Sequence, residues 1–145
     1  MTEDRKTLLQ EYIRSYYPFS RKIHSDVLYP KASQTVPKSQ LILMYMLLEN
    51  NTMTIKEIAT ELYITSSAAT QLVEQLVNIG LVERKGDTVD RRQVYIQLSG
   101  DGVREAMSYQ DSLVSALARV FTNLSDEALV EAIEFQHNVI HKEME

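Results

Sequence analysis

Four cations, Arg84, Lys85, Arg91 and Arg92, fall between positions 84 and 92, interrupted only by the acids Asp87 and Asp90. A guanidinium is planar and permanently charged, which suits it to phosphates and to the narrow, electronegative minor groove of a duplex. Asp90 is a poor contact for a polyanion, so its expected work is to pair with an arginine and hold the loop. A second set, Ser66, Ser67, Thr70, Gln71 and Glu74, shares one face at helical spacing. Short hydroxyls and amides reach base edges in a major groove about 12 Å wide, and glutamine can pair bidentately with adenine. Taken alone, either set is also what an ordinary solvated surface carries.

Other constellations point less far. His137 and His141 stand four residues apart, a spacing that can put two imidazoles on one metal ion, with Glu134 or Glu145 as oxygen donors. No third ligand is fixed, so no metal site is expected and a solvated helix face is the better account. Tyr12, Tyr16, Tyr17 and Tyr29, with His24, can line an aromatic pocket or simply pack in a core or interface. No Ser/His/Asp arrangement, glycine-rich phosphate loop or carboxylate pair is identifiable, and cysteine is absent, which removes thiol catalysis, disulfides and thiolate metal sites. Neither an enzyme nor a cofactor is expected.

The elements that must position these residues are mostly helical, because only four glycines and three prolines punctuate the chain. Residues 4–28 carry apolar side chains at helical spacing, with Pro18 expected to kink or divide them. Tyr29 to Pro37 reads as a polar connector, and Lys38 to Glu49 as a helix buried on most sides. Thr54-Ile-Lys-Glu57 is a capping box opening a helix with Ile55, Ile58, Ala59 and Leu62 on one face. Tyr63-Ile64-Thr65 separates it from a second helix beginning near Ser66, whose Ala69, Leu72, Val73 and Leu76 repeat that spacing and whose C-cap suits Gly80. This is a helix-turn-helix pattern. After Gly80 the period changes to two: Leu81-Val82 starts a strand and Val94, Ile96 and Leu98 form its return, with the polar loop 84–92 between them. Residues 100–121 and 126–143 read as amphipathic helices, the latter capped by Ser125.

The full sequence of 145 residues fits one domain or one domain with helical arms. Its hydrophobic fraction of 44% and charged fraction of 24% are those of a globular chain. No apolar run approaches the roughly 20 residues of a membrane span, and Met1 to Lys6 does not begin a signal-peptide pattern, so a cytoplasmic protein without membrane contact is expected. The net charge of −5 is uneven. Residues 100–145 carry nine acids against three bases, so that part should not face an anionic partner.

A helix-turn-helix followed directly by a hairpin is a winged helix, and Gly80-Leu81-Val82, Arg84, Asp90-Arg91-Arg92, Leu98-Ser99 and Gly102 fall in ungapped order along it. In these residues, and upstream in Gln40, Ile58-Ala59, Leu62, Thr70 and Leu76, the chain resembles the MarR family of bacterial regulators over about residues 36–102. The resemblance implies a mainly α fold with a small two- or three-stranded β wing. It places a DNA-binding part at 37–99 between a dimerising N-terminal helix and connector, 1–36, and dimerising C-terminal helices, 100–145. It also implies Arg92 as the minor-groove residue with Asp90 as its support, and an aromatic effector near Tyr12, Tyr16, Tyr17 and His24. The implied function is a dimeric, sequence-specific regulator of double-stranded DNA at a pseudo-palindromic operator, a repressor relieved by a small molecule. A protein–protein interaction module and a metal-responsive regulator using His137 and His141 are the other readings.

From Glu57 to Glu83 there is neither lysine nor arginine. Phosphate anchoring must then come from the wing, Lys38, Lys56, hydroxyls and backbone N–H groups at helix starts.

Overall fold

A computed structural model describes residues 1–28 and 36–141, with His141 described for its backbone only. Most of the connector Tyr29–Pro37 and all of residues 142–145 therefore lie outside the described residues.

Helix α1 spans Glu3–Ile23 and continues in a π-helical turn, His24–Leu28. It runs through Pro18, which therefore does not divide it. Proline removes one helical N–H and leaves the Arg14 carbonyl without its donor. Arg14 is exposed, so solvent can satisfy that carbonyl and the loss is tolerated. The helix changes character at His24 instead, where the chain turns and Val27 enters the interior.

Helix α2, Lys38–Asn50, buries Gln40, Leu41, Leu43, Met44 and Leu47, as its nearly unbroken apolar run requires. A two-residue strand β1, Thr52–Met53, follows, and Asn51 reaches it in the left-handed region at φ 62°. Helix α3, Ile55–Glu61, opens on the expected capping box: Thr54 Oγ1 accepts the Glu57 N–H at 3.2 Å while Glu57 Oε2 accepts the Thr54 N–H at 2.7 Å. Helix α4, Ser66–Asn78, is capped by Thr65 Oγ1, which accepts the Ala68 N–H at 3.1 Å. Its apolar stripe Ala69, Leu72, Val73 and Leu76 is buried, and Gly80, at φ 77°, terminates it.

Strands β2, Val82–Gly86, and β3, Val94–Leu98, pair antiparallel, and β1 adds to the outer side of β3 in the order β1-β3-β2. The wing thus has three strands, and Arg84 and Lys85 belong to β2 rather than to the loop, which narrows to residues 87–93. The alternation on β3 holds for the buried Ile96 and half-buried Leu98, whereas Val94 lies beyond the core and is exposed.

Helix α5, Gly100–Val120, starts against the wing. Ser99 caps it, accepting the Gly102 N–H at 3.0 Å and donating its own hydroxyl to the Gly80 carbonyl at 2.6 Å. A side chain at 102 would place its Cβ 1.8 Å from the Leu81 carbonyl oxygen, so only glycine fits. The face of α5 that meets the core carries Ala106 and Tyr109, which pack with Leu43, Met44, Ile58, Leu76 and Ile96 in one cluster. Val103, Met107 and Val114 face away and are exposed. Helix α6, Asp126–His141, is capped by Ser125 Oγ, which accepts the Ala128 N–H at 3.2 Å. Among the described residues, no helix is long and apolar enough to cross a membrane.

Candidate nucleic-acid interface

Because α4 buries its apolar stripe against the core, Ser66, Ser67, Thr70, Gln71 and Glu74 project to solvent. The Thr70 hydroxyl donates to the Ser66 carbonyl at 2.9 Å, which keeps that side chain close to the helix. Gln75, one residue beyond Glu74, accepts from the buried Gln40 amide at 2.8 Å and ties α4 to α2. The polar face is therefore mounted on a helix fixed from behind by both packing and a hydrogen bond.

Hydrogen bonds within the loop hold the wing tip. Asp87 N–H donates to the Gln93 carbonyl and Gln93 N–H to the Asp90 carbonyl, each at 3.1 Å. Asp87 Oδ1 accepts the Val89 N–H at 2.8 Å, and Asp90 Oδ1 accepts the Arg92 N–H at 3.0 Å. These are Asx turns, in which a short carboxylate replaces a backbone partner two residues on. The expected pairing of Asp90 with a guanidinium is therefore corrected: its partner is the backbone of Arg92, because a side chain this short closes the local turn first. Among the described residues Lys85, Arg91 and Arg92 make no ion pair, and all three are exposed.

Arg84 behaves differently. Its guanidinium pairs with the Glu74 carboxylate of α4, which joins the wing to the polar helix face. Both residues had separate roles in the sequence pattern, and only the fold, by laying β2 beside α4, brings them together. Two apolar side chains on this side, Tyr63 in the helix-helix turn at φ 54° and Val89 at the wing tip, are almost fully exposed and escaped the sequence reading. Their signal was position alone, a large apolar residue inside a turn of a polar surface.

The backbone-anchor candidates separate. Lys56 is exposed on α3, whereas Lys38 is half-buried with its Nζ 3.4 Å from His24 Nδ1. The proposed effector residues also divide. Tyr12 and Tyr16 line a 620 Å³ groove between α1 and α6 together with Phe19, Phe135 and Val139, and Tyr12 stands 6.1 Å from the Phe135 ring. Tyr17 meets the edge of Tyr16 without lining that groove, and His24 lies at the foot of α2. The helical period explains this, since positions 12 and 16 share a face that 17 and 24 leave. The His141 side chain lies outside the described residues, so the paired-imidazole site has no geometry.

A model of the MarR family matches residues 36–94, from the entry to α2 through the wing to the first residue of β3. A MarR family protein from Bacillus stearothermophilus shares the fold at a TM-score of 0.75, with 26% identity over 99% of this chain and 98% of its own. Residues 36–94 are a MarR family domain. That domain and the similar proteins support transcription regulation through a DNA-binding winged helix. The HTH-type transcriptional regulator MgrA of Staphylococcus aureus is 23% identical over 95% of this chain and 93% of its own length. The organic hydroperoxide resistance transcriptional regulator of Bacillus subtilis (strain 168) is 29% identical over 64% of this chain and 56% of its own. A regulator of Sulfolobus solfataricus, BldR, has the same fold at a TM-score of 0.71 with 21% identity.

Proposed function

We propose that this chain, with its MarR family domain, is a cytoplasmic, dimeric repressor. It would bind a pseudo-palindromic operator with α4 in the major groove and the wing in the adjacent minor groove. The observation that carries this reading is the contact between Arg84 and Glu74, because it sets the polar face of α4 and the cationic wing on one continuous surface. Ser66, Ser67, Thr70 and Gln71 would meet base edges, Arg92 would enter the minor groove, and Lys85, Arg91 and Lys56 would neutralise phosphates. Asp90 would hold Arg92 in place. Lys38 is already engaged near His24 and serves less well as an anchor.

A dimer is favoured by what the fold leaves uncovered. Leu8, Leu9, Ile13 and Phe19 on α1, Met107 and Val114 on α5, and Ile133, Phe135 and Ile140 on α6 are all exposed in the single chain. Apolar surface of that extent on terminal helices calls for a second copy. The divisions 1–36, 37–99 and 100–145 then describe roles rather than separate cores, since Ala106 and Tyr109 pack into the winged part. A signal would act through the groove of Tyr12 and Tyr16. Its lining offers Ser15, Gln136 and the tyrosine hydroxyls but no cation, so it suits a neutral aromatic compound better than an aromatic acid.

Selection of duplexes from a random pool by the purified protein tests the reading. Enrichment of an inverted repeat with half-sites about 34–36 Å apart is expected. Recovery of no sequence, with salt-insensitive binding, would favour an interaction module instead.

A further inference from the structure

Glu74 is the only charged residue of α4, and it sits on the face that carries Ser67 and Gln71. A lone carboxylate there faces whatever polyanion the helix approaches, and no lysine or arginine within residues 57–83 offsets it. The side chain that does offset it comes from another element: Arg84 of β2, 39% exposed against 50% for Glu74. The remaining wing cations, Lys85, Arg91 and Arg92, have no such acid among the described residues.

We propose that Arg84 is the counter-ion of Glu74, keeping the recognition helix electrically neutral toward DNA, and is not itself a phosphate contact. Arg84 is then a positioning residue, and its effect on binding passes through Glu74. This rests on the DNA-binding reading above. The pair is solvent-exposed, so its own contribution to folding is small. Its consequence lies in the charge that α4 presents. One unpaired negative charge about 7 Å from a phosphate costs roughly 0.6 kcal/mol in water-like surroundings, about threefold in affinity, and more than one phosphate is within range.

The two roles for Arg84 predict opposite patterns in a four-protein comparison. The probe is a mixed-sequence duplex of about 30 base pairs, titrated at salt from roughly 50 to 200 mM. If Arg84 neutralises Glu74, Arg84→Gln weakens binding about threefold to tenfold by leaving the acid unpaired. Glu74→Gln tightens it and steepens the salt slope by about 0.9 per protomer, because a cation is released. The double variant, again neutral, returns to within about twofold of wild type in affinity and slope. A double variant as weak as Arg84→Gln alone, or weaker binding by Glu74→Gln, would overturn the counter-ion role while leaving DNA binding intact. A wild-type chain that ignores the duplex at low salt would overturn the DNA reading and this proposal with it.

Discussion

The Asp90 carboxylate holds the backbone of Arg92, not its guanidinium: Asp90 Oδ1 accepts the Arg92 N–H at 3.0 Å. The acid therefore organises the turn that presents the arginine and leaves the arginine's charge unspent. Asp90→Ala should weaken duplex binding about threefold to tenfold, the equivalent of one lost hydrogen bond, although it deletes a negative charge near phosphates. Asp90→Asn keeps an oxygen at the same place and should bind at least as well as wild type. Electrophoretic mobility at fixed salt separates the two. Tighter binding by Asp90→Ala would mean that charge, and not turn geometry, is what Asp90 contributes.

At the start of α5 the chain passes so close to Leu81 that any side chain at 102 meets the carbonyl oxygen at 1.8 Å. That contact joins the residue preceding β2 to the helix that follows β3. Gly102→Ala must push β2 and α5 apart and should lower stability by about 1–3 kcal/mol, read as a lower urea midpoint. An unchanged midpoint would show that the junction is loose.

If the exposed apolar faces of α1, α5 and α6 meet a second copy, removing residues 126–145 should convert a dimer to monomer in sedimentation. The truncated chain should still show helical circular dichroism, because the buried cluster draws nothing from α6. A truncated chain that sediments as a dimer would place the seam elsewhere.

The first turn of α6 carries a pH-dependent contact. The Glu127 carboxyl is held below its usual range by its own backbone N–H and by the Ser125 hydroxyl. A depressed folded-state pKa gives stability that is present above the unfolded value and lost as the pH falls through the folded one. Protection factors of the amides over residues 126–129 should fall in that acid window, and Ser125→Ala should move the midpoint upward. An acid dependence unchanged by Ser125→Ala would assign it to another group.

Residues that interact within one turn of chain were legible from sequence: Thr54 with Glu57, Ser125 at the start of α6, and the buried stripe from Ala69 to Leu76. So was the exposed polar face of α4, since it is the complement of that stripe. Residues whose partners are distant in sequence were not. Strand β1 is two residues long and exists only because β3 lies beside it, so Thr52 and Met53 carry no alternation to read. Arg84 looked like one more wing cation until β2 was laid along α4. Pro18 does not divide α1, because its cost depends on whether the freed carbonyl is buried, and α1 is exposed.

Arg92 carries the central claim most directly, since it alone among the wing cations is asked to enter a groove rather than to neutralise a phosphate. The measurement is the affinity of wild type and Arg92→Ala for a duplex enriched by the wild-type protein from a random pool, followed across salt concentration. The wild-type slope should correspond to about six phosphate contacts per dimer, from Lys56, Lys85 and Arg91 of each protomer, because α4 supplies no cation. Arg92→Ala should lose at least about tenfold on the enriched duplex and far less on a mixed-sequence one, as expected for a cation matched to a narrow minor groove. Equal affinity of the two proteins for the enriched duplex, at every salt concentration, would contradict the account.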